Sequence, residues 1–349
     1  MTGPVLAVGD GFVLVSLLRD ALREHVAGEL EIREHELPWP EQPFADVGEV
    51  HEASGSEDEL IEALGDAAVC VTQLAPITRR VLDACPDLRF VGVSRGGPVN
   101  VNIEAATAHG VLVSNAPGRN ATATSEFTIG LILATLRRIC ETHGSLSSGH
   151  WRGEFFRYPE TGIELGDATV GVLGYGTVGA RVAGLLAAFG AQVLVYDPYA
   201  EAHGPGIVQV DELAELLARA QILTLHMRAG EETERMIDAD ALAALPDGAV
   251  LINAARGSLL DYEALFDALE SGHLAGAGLD VHPVEPVPGD SRLFTAPNVV
   301  MTPHVAGASR QVAHNAARIV AEEVARFASG EPLAYCQNPE ATGSNPTAR

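Results

Sequence analysis

Val170-Gly171-Val172-Leu173-Gly174-Tyr175-Gly176-Thr177-Val178-Gly179, followed by an apolar stretch and then Val193-Leu194-Val195-Tyr196-Asp197, decides how this chain folds. The apolar run ending at Leu173 is a buried strand, and the glycine spacing is that of a strand-to-helix turn built for a dinucleotide. Gly174 permits the tight turn, Gly176 lets the backbone approach a pyrophosphate, and Gly179 lets the helix lie close on the sheet. Tyr175, Thr177 and Val178 complete the loop, whose free N–H groups and helix dipole suit phosphate. Asp197, closing the next strand, can accept hydrogen bonds from a ribose diol while its charge repels a 2′-phosphate. The expected cofactor is therefore NAD rather than NADP. Three spaced glycines alone are a weak signal, because turns use them for packing; here strand, helix and acid all stand where the motif needs them. The alternative is a Rossmann-like fold whose glycines serve packing only.

The composition bounds the rest. A chain of 349 residues, 47% hydrophobic and 20% charged, suits a soluble protein of two domains. A net charge of −25 argues against nucleic acid and anionic membranes as partners. No apolar run has the length of a membrane span, and Met1-Thr2-Gly3-Pro4 does not open a secretory signal, so a cytoplasmic location is expected. All 22 basic residues are Arg, which excludes lysine Schiff-base chemistry and leaves arginine to bind any anion. Cys70, Cys85, Cys140 and Cys336 are far apart, so neither a disulfide framework nor a metal site is expected.

Strand-like runs at 5–8, 68–71, 90–94 and 111–114 alternate with helix-like stretches at 13–26, 77–84 and 103–109. This alternation predicts an α/β fold with a parallel sheet. The acidic region 37–56 reads as loop and edge structure, and a single long apolar helix is expected over 122–143. Further strands at 222–226, 249–253, 276–281 and 299–302 make a second α/β domain. The predicted fold class is thus two Rossmann-like or flavodoxin-like parallel-sheet domains. Residues 1–115 begin the substrate domain, 116–307 form the NAD domain, and the helix in 308–335 returns to complete the first. Residues 336–349 are small and polar and are expected to be disordered.

Chemistry is expected where strands end. Asn253-Ala254-Ala255-Arg256-Gly257, Asp280-Val281-His282-Pro283-Val284-Glu285 and Thr302-Pro303-His304 each leave a predicted strand. Histidine passes protons near neutral pH, and a neighbouring carboxylate orients the ring and favours its charged form. An arginine fork suits a carboxylate. Beside a nicotinamide, Arg256, Glu285 and His304 would move a hydride to or from a carbon bearing oxygen next to a carboxylate. Taken singly, each has a structural reading: a surface ion pair, a loop acid, a capped turn.

With these segments in this order and spacing, together with Leu225-His226, Gly278-Leu279-Asp280-Val281 and Glu285-Pro286, the chain resembles the D-isomer-specific 2-hydroxyacid dehydrogenases over nearly its whole length. The resemblance implies Arg256, Glu285 and His304 as the catalytic set. It also implies His226, Ala254, Ala255 and Asp280 at the cofactor, a 2-hydroxy or 2-oxo acid as substrate, a discontinuous substrate domain and a homodimer. Val93-Ser94-Arg95-Gly96-Gly97-Pro98-Val99-Asn100 stands where many members have Arg-x-Gly-x-Gly-x-Asp-Asn. Gly97 and Asn100 align, making Gly96 and Gly97 a carboxylate-binding turn; Arg95 either touches substrate or pairs with an acid. Thr72-Gln73-Leu74-Ala75 replaces the Arg-Ser-x-Thr segment of phosphoglycerate dehydrogenases, which places Gln73 at the substrate and argues against a phosphorylated one. Arg228, where proline is usual, either reaches the pyrophosphate or faces solvent. The rival readings are an NAD-sensing corepressor-type protein, a formate dehydrogenase, disfavoured by Glu285 where that group has Gln, and a short-form phosphoglycerate dehydrogenase.

Overall fold

The computed structural model describes residues 3–39 and 45–343. The chain divides into two compact units, Met1–Asn120 with Ser309–Arg349, and Ala121–Ala308.

The first unit contains β1 (Val5–Gly9), β2 (Ile32–Glu36), β3 (Ala45–Val47), β4 (Val50–Ala53), β5 (Val69–Thr72), β6 (Phe90–Val93) and β7 (Leu112–Ser114). Five of these form a parallel sheet in the order β2-β1-β5-β6-β7, the flavodoxin-like order. The acidic segment expected as loop and edge supplies β3 and β4, which pair antiparallel. Every residue of β1, β5 and β6 is buried, which is why these strands read as continuous apolar runs and not as alternating ones. The helix Arg310–Ser329, capped by Ser309 and ended at left-handed Gly330 (φ 74), belongs to this unit. Its Ala316, Ala317, Val320 and Val324 share a core with Val5, Val69 and Phe90, and Phe327 stacks on Phe90 at 5.0 Å.

The expectation of disorder from residue 336 is corrected through Gly343; residues 344–349 lie outside the described residues. The strand β7 is an edge, and its free backbone groups recruit the tail. The Gln337 N–H donates to the Val113 carbonyl (2.8 Å), and the buried Asn338 accepts from the Val113 N–H (2.8 Å) and donates to the Val111 carbonyl (2.9 Å).

The second unit contains β8 (Thr169–Leu173), β9 (Gln192–Tyr196), β10 (Ile207–Gln209), β11 (Ile222–Leu225), β12 (Ala249–Asn253), β13 (Leu274–Leu279) and β14 (Val299–Met301). All are parallel, in the order β10-β9-β8-β11-β12-β13-β14, a Rossmann arrangement extended by one strand. The register aligns Tyr196, Leu173, Leu225, Asn253, Leu279 and Met301 in one transverse row. The next residue of each strand, namely Asp197, Gly174, His226, Ala254, Asp280 and Thr302, therefore emerges along the same carboxyl edge.

The single helix expected over 122–143 is two, Ala121–Leu136 and Ile139–Ser147. Arg138 interrupts them in a left-handed conformation (φ 49), with its guanidinium drawn to Glu141 (2.7 Å) and Glu160 (2.8 Å).

Candidate active site

The three motif glycines meet different demands. Gly174 is left-handed (φ 95), and a Cβ there would come within 2.7 Å of the Met227 nitrogen. A Cβ on Gly179 would lie 2.0 Å from the Gly174 carbonyl oxygen. Both positions are closed by packing. A Cβ on Gly176 would meet nothing within 4 Å, and this residue opens the helix Thr177–Ala188 without a side-chain cap. The site thus offers an open backbone cradle at a helix N-terminus, which fits a pyrophosphate.

Asp197 ties this loop to the end of β9. Its Oδ2 accepts from the Tyr175 N–H (2.6 Å) and its Oδ1 from the Tyr199 N–H (2.8 Å). Each oxygen keeps a lone pair for a ribose hydroxyl. The His226 N–H donates to the Leu173 carbonyl (2.7 Å), and burial pushes its ring down to about 4, so the imidazole is neutral. Arg228 is exposed.

Asn253 holds the turn after β12: its Nδ2 donates to the Arg256 carbonyl (2.9 Å) and its Oδ1 accepts from the Ala255 N–H (3.0 Å). The exposed Arg256 donates through Nη1 to the Ala255 carbonyl (2.6 Å) and makes no ion pair among the described residues.

His304 Nδ1 lies 2.8 Å from Glu285 Oε2, and Glu285 Oε1 accepts from the His282 N–H (2.9 Å). The hydrogen bond to Glu285 raises His304 above the ordinary histidine value; burial and the nearby Arg256 charge oppose it without prevailing. Burial alone would push the Glu285 carboxyl up, but the bonds from His304 and the His282 N–H hold it below the usual carboxylate range. The backbone of His304 is left-handed (φ 53), which non-glycine residues rarely adopt. Asp280, 1% exposed, holds this loop in place. Its Oδ1 accepts from Thr302 Oγ1 (2.6 Å) and the Val305 N–H (2.9 Å), and its Oδ2 from the Ala306 N–H (2.7 Å). Its carboxylate thus points into the His304 loop.

In the first unit, Gln73 follows β5 and is buried, and its Oε1 has no hydrogen-bond partner among the described residues. The Arg95 guanidinium makes an ion pair with Glu52 of β4. A Cβ on Gly96 or Gly97 would meet nothing within 4 Å, so this turn is open. Two positioning residues, Asn253 and Thr302, carry little signal in the sequence. The clue to Asn253 is a polar residue at the last position of an apolar strand.

Residues 129–306 match the family model described as D-isomer specific 2-hydroxyacid dehydrogenase, NAD binding domain, and the chain belongs to that family. The chain is 37% identical over 291 residues to the D-3-phosphoglycerate dehydrogenase of Methanocaldococcus jannaschii, covering 82% of this chain and 55% of that protein. It thus spans about half the length of the phosphoglycerate dehydrogenases it matches. To the glyoxylate reductase of Korarchaeum cryptofilum it is 35% identical over 283 residues, covering 80% of this chain and 85% of that one. Among solved structures, the TT0316 protein of Thermus thermophilus superposes with a TM-score of 0.77 at 30% identity, over 96% of this chain and 99% of that one. The cofactor of the second unit is NAD.

Proposed function

We propose that the protein is an NAD-dependent oxidoreductase interconverting a D-2-hydroxy acid and its 2-oxo acid. The observation that carries this is the His304–Glu285 pair at 2.8 Å, on the same strand-end edge as the Gly-rich loop and Arg256. With Nδ1 engaged by Glu285, His304 keeps Nε2 to give a proton to the substrate's carbonyl oxygen, or to take one from its hydroxyl. Glu285 orients the ring and balances the imidazolium. The planar fork of Arg256 suits the α-carboxylate with two parallel bonds. NAD, when bound, supplies or accepts the hydride. Gly174 to Gly179, Asp197, His226, Ala254, Ala255 and Asp280 are its proposed surroundings, with Asp197 selecting against NADP. We assign the first unit to substrate binding, with Gln73, Gly96 and Gly97 as its contact residues.

The identity to phosphoglycerate dehydrogenases favours a second reading with a phosphorylated substrate. The absence of a basic residue in Thr72-Gln73-Leu74-Ala75 weighs against it. The same proposal includes a cytoplasmic homodimer. Trp151, Phe156 and Tyr158 are 86%, 93% and 93% exposed, an aromatic surface that a second copy would cover. No helix among the described residues is long and apolar enough to cross a membrane.

The test is a panel of 2-oxo acids with NADH, including glyoxylate, hydroxypyruvate, its phosphate and sugar-derived acids, followed by loss of NADH absorbance. Turnover of one or more supports the proposal. NADH binding without turnover of any would favour a sensor.

A further inference from the structure

His282, three residues beyond β13, is buried, with 8% of its surface exposed. Its ring Nε2 lies 3.0 Å from the Thr302 carbonyl, which can only accept, so Nε2 carries the hydrogen and donates. The same carbonyl accepts from the His304 N–H (3.0 Å), two residues on, and so holds the left-handed backbone of His304 (φ 53). The His282 N–H in turn holds Glu285 Oε1 (2.9 Å), and Glu285 Oε2 meets the His304 ring (2.8 Å). His282, Glu285, His304 and Thr302 therefore form a closed cycle of hydrogen bonds. Arg256 adjoins it through the next residue: a Cβ on Gly257 would lie 2.1 Å from the His282 carbonyl oxygen. The Tyr262 hydroxyl fixes the same segment by donating to the Val281 carbonyl (2.8 Å).

A phenylalanine would fill much the same space without a polar atom. The imidazole instead leaves its Nδ1 buried with no hydrogen-bond partner among the described residues, and an unsatisfied buried polar atom is destabilising. A residue that breaks a packing rule marks a functional site when another of its contacts compensates. Here that contact is Nε2 on the Thr302 carbonyl. The carbonyl is already satisfied by the His304 N–H, so the ring is not there to rescue it. What a second donor adds is direction: it fixes the carbonyl, and with it the turn that carries His304. Without it the His304 ring is free to shift relative to a carboxylate whose own place is set by the backbone of His282.

We propose that His282 is a positioning residue for the acid–base pair, its ring holding the His304 turn while its backbone holds Glu285, so that efficient proton transfer needs the Nε2 donor; this rests on the dehydrogenase reading above and adds a residue to its machinery.

The experiment compares His282→Phe, His282→Gln and His282→Asn with the unaltered protein. His282→Phe keeps a ring and loses the donor, His282→Gln keeps a donor at the reach of Nε2, and His282→Asn has one only at the reach of Nδ1. All retain the backbone N–H that holds Glu285. The titration of the His304 ring is followed by NMR, its signal assigned by its loss in His304→Ala. Rates and their pH profiles are measured with NADH and the 2-oxo acid that the unaltered protein turns over fastest. Glu285, Asp280 and Arg256, the charges that bear on the His304 ring, are the same in every variant. His282→Phe and His282→Asn should lower the His304 midpoint, because its bond to Glu285 is loosened, and reduction should then fail at lower pH as pH rises. Both should lose on the order of 10- to 100-fold in kcat, with the KM for NADH unchanged. His282→Gln should restore the midpoint and most of the rate. An unshifted midpoint in His282→Phe, or equal midpoints in His282→Gln and His282→Asn, would overturn the proposal, and the second comparison decides it even where His282→Phe fails to fold. Failure of the unaltered protein to oxidise NADH with any acid would overturn the dehydrogenase reading instead, while the midpoints still decide whether His282 positions the pair.

Discussion

Glu285 and His304 meet through one oxygen only. Glu285 Oε2 sits 2.8 Å from the ring, while Oε1 is anchored 2.9 Å from the His282 N–H, so the carboxylate is fixed before it orients the imidazole. Because this contact raises His304, the ring keeps its proton to higher pH than a free histidine. Glu285→Gln removes the charge. Reduction, which needs the protonated ring, should then fail at lower pH as pH rises, and oxidation, which needs the neutral ring, should set in at lower pH. Profiles of kcat/KM against pH in both directions check this; unchanged profiles would contradict the pairing.

Asp280 is expected to matter for stability as well as rate. Asp280→Ala strands the Val305 and Ala306 N–H groups and the Thr302 hydroxyl. The Ala306 N–H is buried and the other two groups are half-buried, so at about 1–3 kcal/mol for a buried group left unsatisfied, and less where water can reach, the loss should be about 2 kcal/mol. Denaturant midpoints measure it, and kcat should fall in parallel as the left-handed His304 loses its support. Undiminished stability would mean that the loop is held by other contacts.

The glycines separate cofactor binding from packing. Gly176→Ala adds a methyl to open space at an ordinary φ (−73), so it should fold normally and weaken NADH binding by filling the cradle. Gly179→Ala drives a Cβ to 2.0 Å from the Gly174 carbonyl and should lower the melting temperature whether or not NADH is present. Melting curves with and without NADH distinguish them.

Asp197→Ala should narrow the preference for NADH over NADPH. It should also raise the KM for NADH, because the Tyr175 N–H loses its 2.6 Å acceptor and the loop loosens. Equal turnover of the two cofactors by the unaltered protein would refute the role of Asp197 in selectivity.

Much of the second unit was legible because its signals are local. The strand, glycine turn, helix and acid from Val170 to Asp197 follow one another in sequence, and Arg256, Glu285 and His304 sit just beyond apolar runs that end on one edge. The strand-end position of Asp280 was legible, but its role at the cofactor, like that of His226, came only through the family resemblance. What could not be read depends on distant partners. The left-handed turn at Arg138 is fixed by Glu160, 22 residues on, and the order of the tail by Asn338 meeting Val113, 225 residues before it. Apolar periodicity has no term for either.

The most direct test of the central claim is stereochemical. NADH is supplied with a 2-oxo acid, the product is resolved on a chiral column, and the rate is compared between the unaltered protein and His304→Ala at matched NADH occupancy. The account predicts the D-2-hydroxy acid and a rate lower by on the order of 10²- to 10⁴-fold in the variant. The L-isomer as product, or an unchanged rate without His304, would contradict it.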